Sequence, residues 1–84
     1  MNNTLDTLGA KIAISLFPTI DIIDADDSYF YGRFEGKGVI TASVGSFMGS
    51  GSILFPIKAE KYGEHTKLFS GATAINRLIK YMTA

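Results

Sequence analysis

The chain has no cysteine and no tryptophan, one histidine, two prolines and no excess of either charge, since eight Lys and Arg balance eight Asp and Glu. Each shortage removes a class of explanation. Without cysteine there is no disulfide staple and no thiolate metal site, so nothing calls for an oxidising compartment and a cytoplasmic setting is expected. His65 has no second imidazole with which to share a zinc ion, and no acid and nucleophile at catalytic spacing. It reads as a solvated loop histidine. Zero net charge argues against strong nonspecific attraction to nucleic acid or anionic lipid. The first seventeen residues are broken by Asp6 and Lys11, so they do not read as a signal peptide.

What is present is an ordinary globular composition, 46% apolar with six Phe and four Tyr, in 84 residues. A chain of this length supports one core, and 1–84 is read as a single domain. Its charge is unevenly spread. Residues 1–31 hold five Asp against Lys11, and residues 32–84 hold seven Lys and Arg against three Glu.

The periodicities predict an α+β fold. Leu5, Leu8, Ile12 and Leu16 form one apolar stripe of a first helix, capped by Asn3 or Thr4 and ended by Pro18. Thr19 to Ile23 alternates as a short strand, and Asp24 to Ser28 is an acidic turn. Tyr29 to Phe34 and Val39 to Val44 alternate on either side of Glu35-Gly36-Lys37-Gly38, which reads as a hairpin turn. Ile53, Phe55 and Ile57 alternate again, with Pro56 suggesting an edge strand able to pair two copies into a homodimer. Ser70 is a good cap for a closing helix with the stripe Ile75, Leu78, Ile79 and Met82. The expected architecture is an N-terminal helix, a three- to four-stranded antiparallel sheet and a C-terminal helix, with both helices on one sheet face.

Gly38 to Ile57 runs twenty residues without a charge and contains a G-x-x-x-G at Gly45 to Gly49, the length and motif of a membrane helix. Its eight Val, Ile, Leu and Phe residues contribute only about −2.4 to −4.8 kcal/mol on the insertion scale, before four Gly, four Ser and Pro56 are counted. They also cluster at the two ends with period two around a Gly-Ser centre. Two strands and a loop are the better reading, with no membrane partner.

Motifs that would carry chemistry fail on detail. Gly32 to Gly38 is one residue short of a phosphate-binding loop and leads into a β-branched strand rather than a helix. Asp24, Asp26, Ser28 and Glu35 match positions 1, 3, 5 and 12 of a calcium loop, but Tyr29 stands where glycine is required. No catalytic residue, metal ligand or cofactor is assigned, and an enzyme is not expected. Leu68 to Leu78 resembles the closing helix of small sheet-plus-helix modules appended to DNA-modification enzymes; the Gly and Trp that follow in those modules are missing, and no family is assigned on it.

Three surfaces stand out as partner sites: the carboxylates of Asp21, Asp24, Asp26 and Asp27; the strand face of Tyr29, Tyr31 and Arg33; and the apolar loop Phe47-Met48. Such acidic clusters are commonly solvated turns, and such a strand face can equally lie beneath a helix. The expected function is a small non-enzymatic protein-binding module, an inhibitor or adaptor of the kind small phage-like genes encode. The alternative is a nucleic-acid-binding domain using Arg33, Lys37, Lys58, Lys61, Lys67, Arg77 and Lys80. A ligand-binding protein or enzyme of unknown class is the third reading, and it needs a polar pocket the sequence does not reveal.

Overall fold

The alternating segments and the two helical stripes assemble, in a computed structural model describing residues 4–47 and 53–83, into five strands and two helices. A 3-10 turn at Thr4–Asp6 leads into α1 (Leu8–Leu16), followed by β1 (Ile20–Ala25), β2 (Tyr29–Phe34), β3 (Gly38–Ser43), a second 3-10 turn at Val44–Phe47, β4 (Ile53–Lys61), β5 (Lys67–Gly71) and α2 (Ala74–Thr83). The strands pair in chain order β1-β2-β3-β4-β5, each antiparallel to the next. Short connections between consecutive strands leave this meander as the simplest arrangement. No helix among the described residues is long and apolar enough to cross a membrane, and the uncharged run supplies β3 and the start of β4.

Because side chains alternate across a strand, the sheet has two unlike faces. One carries Phe30, Phe34, Ile40, Ala42, Ile57, Ala59 and Phe69, all buried in a single cluster with Ala10, Ala13 and Phe17 of the α1 region and Ala74, Leu78 and Met82 of α2. Both helices therefore pack on this face, α1 against β1 and β2, α2 against β4 and β5. Phe17 meets Phe34 edge-on at 6.0 Å and Phe30 at 6.4 Å, within the range at which such ring pairs add about 0.5–1.5 kcal/mol beyond burial.

α1 does not bury the stripe its sequence suggests. Leu5 and Leu8 are exposed, Ile12 and Leu16 are half-buried, and Gly9, Ala10 and Ala13 face the sheet. The reason is distance. A Cβ at Gly9 would lie 2.1 Å from the Tyr29 carbonyl oxygen, and the Gly9 amide donates to the Asp26 carbonyl at 2.9 Å, so only small residues allow this approach. The cap is Thr7, whose hydroxyl accepts from the Ala10 amide at 3.3 Å, rather than Asn3 or Thr4.

The strand count is five, not three to four. Lys67–Gly71 pairs with β4 as an edge strand, so Ser70 lies in β5 and α2 starts only at Ala74, after Thr73, whose carbonyl accepts from the Arg77 amide at 3.0 Å. β4 is accordingly not an edge strand: its residues 58–61 pair with β3 and its residues 53–59 with β5. Pro56 is tolerated there because the β4–β5 register shifts between Ile53 and Ile57, where a missing donor breaks no ladder bond. Gly38 opens β3 rather than closing the turn; a Cβ on it would lie 2.2 Å from the Glu60 carbonyl of β4. The positive φ values of the β2–β3 turn fall on Glu35 and Gly36.

Candidate interaction face

The face of the sheet away from the helices is uncovered among the described residues, and it is the face that carries Tyr29, Tyr31 and Arg33. Register places Asp21, Arg33, Val39 and Glu60 in one row across four strands, and Asp24, Tyr31, Thr41, Lys58 and Leu68 in a second row across all five. Neighbours in such rows stand about 4.5–5.5 Å apart, close enough to act as one surface.

Polar contacts fix several of these side chains. The Arg33 guanidinium donates to Asp21 at 3.3 Å and, through Nε, to the Tyr62 hydroxyl at 3.2 Å. Tyr62 extends past the end of β4, its amide donating to the Lys37 carbonyl at 3.2 Å, and reaches back across β3. The Tyr62 hydroxyl, aided by the Asp21 carboxylate, holds Arg33 above its already high ordinary pKa. Tyr29 donates its hydroxyl to the Asp24 carboxylate, which keeps the phenol protonated beyond the usual tyrosine range. Tyr62 is a member of this face that the strand pattern did not single out. Its position at the end of the β4 alternation was the available signal, since it keeps the parity of Lys58 and Glu60.

The acidic turn lies at one end of this surface and is well ordered by its own carboxylates. Asp26 Oδ1 accepts from the Ser28 amide at 2.6 Å, the Ser28 hydroxyl at 2.7 Å and the Tyr29 amide at 3.1 Å. These donors, the Ser28 hydroxyl foremost, lower the Asp26 pKa below the ordinary aspartate value. Asp27 Oδ1 accepts from the Leu8 amide at 2.9 Å, placing a carboxylate against the N-terminal end of α1, where the helix dipole favours it. All four aspartates remain exposed. The calcium-loop reading does not assemble: Glu35 follows β2 at its far end, a strand of six residues and so about 20 Å away from the turn.

Phe47 is no part of the open face. It is half-buried and stacked on Phe30 at 6.1 Å on the helix side, while the neighbouring Ser46, fully buried, donates its hydroxyl to the Phe55 carbonyl at 2.8 Å and pins the 3-10 turn to β4. Met48 lies outside the described residues.

The seven cations proposed for nucleic acid do not form one patch. Arg33 and Lys58 are on the open face and Lys37 is in the β2–β3 turn. Lys61 and Lys67 stand over the Tyr81 ring on the helix side, at 4.8 and 5.0 Å, and Arg77 lies over Phe69 at 5.9 Å. Lys80 is exposed on α2, and His65 is exposed between β4 and β5. Among the described residues no group of three or more His, Cys, Asp or Glu is placed to hold a metal ion.

No protein-family model matches the chain, and neither does any curated protein or solved structure.

Proposed function

We propose that this chain is a small non-enzymatic protein-binding module that works by occupying a partner's surface, as an inhibitor or adaptor of phage-like size does, through the open face of its sheet. One observation carries the reading. A five-stranded sheet covers one face with both helices and leaves the other open, bearing Tyr29, Tyr31, Tyr62, Arg33 and Leu68, with Tyr62 and Leu68 exposed to 56% and 60%. Tyrosine and arginine are among the residue types that dominate binding energy at protein interfaces, and here Tyr29 is held by Asp24 and Arg33 by Asp21 and Tyr62. The acidic turn beside them favours a partner with a basic rim. Division of the basic residues between two faces supports a protein partner over nucleic acid, which would use a continuous cationic track.

The test is affinity capture from the source cell with the wild-type chain and with Tyr31→Ser and Thr41→Arg, two open-face changes that touch no core residue. Both variants are expected to fold as the wild type does by circular dichroism and to lose the captured protein. A partner retained at wild-type yield by both would sink the proposal. Retardation of nucleic acid in a low-salt gel, abolished by Arg33→Ala with Lys58→Ala, would transfer the same face to the nucleic-acid reading.

A further inference from the structure

The uneven charge of the sequence becomes, in the fold, two sheet edges of opposite sign. β1 and β5 are the outer strands, about 19 Å apart across four strand spacings. Residues 12–32, which include β1 and its turn, contain four Asp and no Lys or Arg; residues 65–84, which include β5 and α2, contain Lys67, Arg77 and Lys80 and no Asp or Glu. Each edge also exposes an apolar side chain, Ile23 at 43% on β1 and Leu68 at 60% on β5. Arg77 donates to the Ser70 carbonyl, which sets its guanidinium against β5.

A strand edge offers unpaired backbone groups to another chain, and proteins ordinarily blunt it with charge; here the Thr4–Asp6 turn lies beside part of β1 and Arg77 takes the Ser70 carbonyl of β5, so the remaining edge groups are those a second copy would meet. Here the blunting is selective. Pairing β1 with β1 of a second copy brings aspartates together, and pairing β5 with β5 brings cations together, so like charge opposes both two-fold arrangements. Pairing β1 with β5 of a second copy matches opposite signs. In a fully antiparallel five-stranded meander β1 and β5 run in the same direction, so antiparallel pairing between them requires the second copy to be turned over. The open face with Asp21 and Asp24 then continues into the neighbour's helix side, where Lys67 and Arg77 stand, and the helices of adjacent copies fall on opposite sides of the sheet without collision.

We propose that copies of this chain associate head to tail through β1 of one and β5 of the next, extending the sheet. Such a contact is heterologous and does not close on itself at two copies. It concerns the purified chain alone and does not depend on the partner-binding reading.

Sedimentation of the full chain over a concentration series tests it. In about 0.01 M salt, where the Debye length is about 30 Å, the average mass is expected to rise past that of a dimer with concentration; in about 1 M salt, where the length is about 3 Å, it returns to the monomer. Asp21→Lys with Asp24→Lys removes the acidic edge, and Lys67→Glu with Lys80→Glu removes the basic one. Each double variant alone is expected to be monomeric. Mixed in equal amounts, they are expected to associate again and to grow past a pair, because every β1–β5 contact between unlike variants matches opposite signs. A wild-type chain that stays monomeric at every concentration in low salt overturns the proposal, as does a dimer indifferent to salt. That measurement decides the question even where a charge-reversed variant does not fold.

Discussion

The two faces of one sheet are built from neighbouring residues of the same strands, yet they obey different rules. On β2, Phe30 and Phe34 are fully packed beneath α1, while Tyr29, Tyr31 and Arg33, one position away, are half-buried or exposed and held by hydrogen bonds and charge. The helix face is tied to stability: its members touch each other, and removing one leaves a cavity. The open face, held by hydrogen bonds and an ion pair between solvent-exposed groups, is expected to contribute less to folding. The sharpest way to break this comparison is to truncate neighbours on the same strand. Phe30→Ala is expected to cost about 3–5 kcal/mol, near the whole stability of so small a domain. Tyr31→Ala is expected to stay within about 0.5 kcal/mol, the range of surface changes. Urea unfolding of the two variants measures both; equal losses would mean that the open face is also part of the core.

The next largest effect is expected where the helix side is tightest. Gly9→Val places a Cβ where the Tyr29 carbonyl already lies and separates α1 from the β1–β2 turn, displacing the Gly9 to Asp26 and Leu8 to Asp27 hydrogen bonds. Overpacking of this kind costs about 1–3 kcal/mol. Gly36→Ala, at a positive φ of 71° with open space around it, tests the turn instead and is expected to cost about 1–2 kcal/mol, from backbone strain alone. A reversed order in thermal denaturation would show that the hairpin turn, not the docking of α1, is the constrained glycine position.

This contrast also explains what the sequence could and could not convey. Alternation in β2 and β3 and the stripe of α2 were legible, because Phe30, Phe34, Ile40, Leu78 and Met82 are large apolar residues at regular spacing on buried faces. α1 was located, but its buried face was not, because hydrophobicity points to Leu5 and Leu8 whereas close approach selects Gly9 and Ala13. β5 was hidden by its own exposure: in Lys67–Gly71 only Phe69 is buried, and a Ser followed by an apolar helical stripe mimics a cap. Pro56 signalled an edge, and the irregular pairing that admits it to an interior strand leaves no mark in local sequence. On the site side, Tyr29, Tyr31 and Arg33 were identified from one strand, but Tyr62 joins them only through a pairing between distant segments.

A smaller effect is expected from the acidic turn and is read as a pH dependence. The Ser28 hydroxyl and amide and the Tyr29 amide hold Asp26 below its ordinary pKa, so its contribution is present above the unfolded value of about 3.9 and is lost as pH falls through the folded one. Asp26→Asn is expected to remove this part of the acid sensitivity, making the urea midpoint fall less steeply below about pH 4 than in the wild type. Tyr29 gives the opposite limb. Its pKa is raised by the Asp24 carboxylate, so that contribution is present below the unfolded value of about 10 and is lost as pH rises through the folded one. Tyr29→Phe is expected to flatten the alkaline side. If both variants reproduce the wild-type profile, the turn and the start of the open face are held by backbone pairing alone.

A small effect on folding is likewise expected from Arg33, which makes the clearest separation between the two faces. Its ion pair with Asp21 joins side chains exposed to 48% and 72%, and pairs so open to solvent contribute about 0–1 kcal/mol because water and salt screen them. Arg33→Ala is therefore expected to shift the urea midpoint only marginally and to lose even that shift in high salt. Its consequence lies elsewhere: the same guanidinium orders Asp21 and the Tyr62 ring on the open face, and removing it frees both. Loss of partner capture together with near wild-type stability would mark Arg33 as a residue kept for contact, whereas a large stability loss would assign it to the architecture and narrow the interaction surface to the tyrosines.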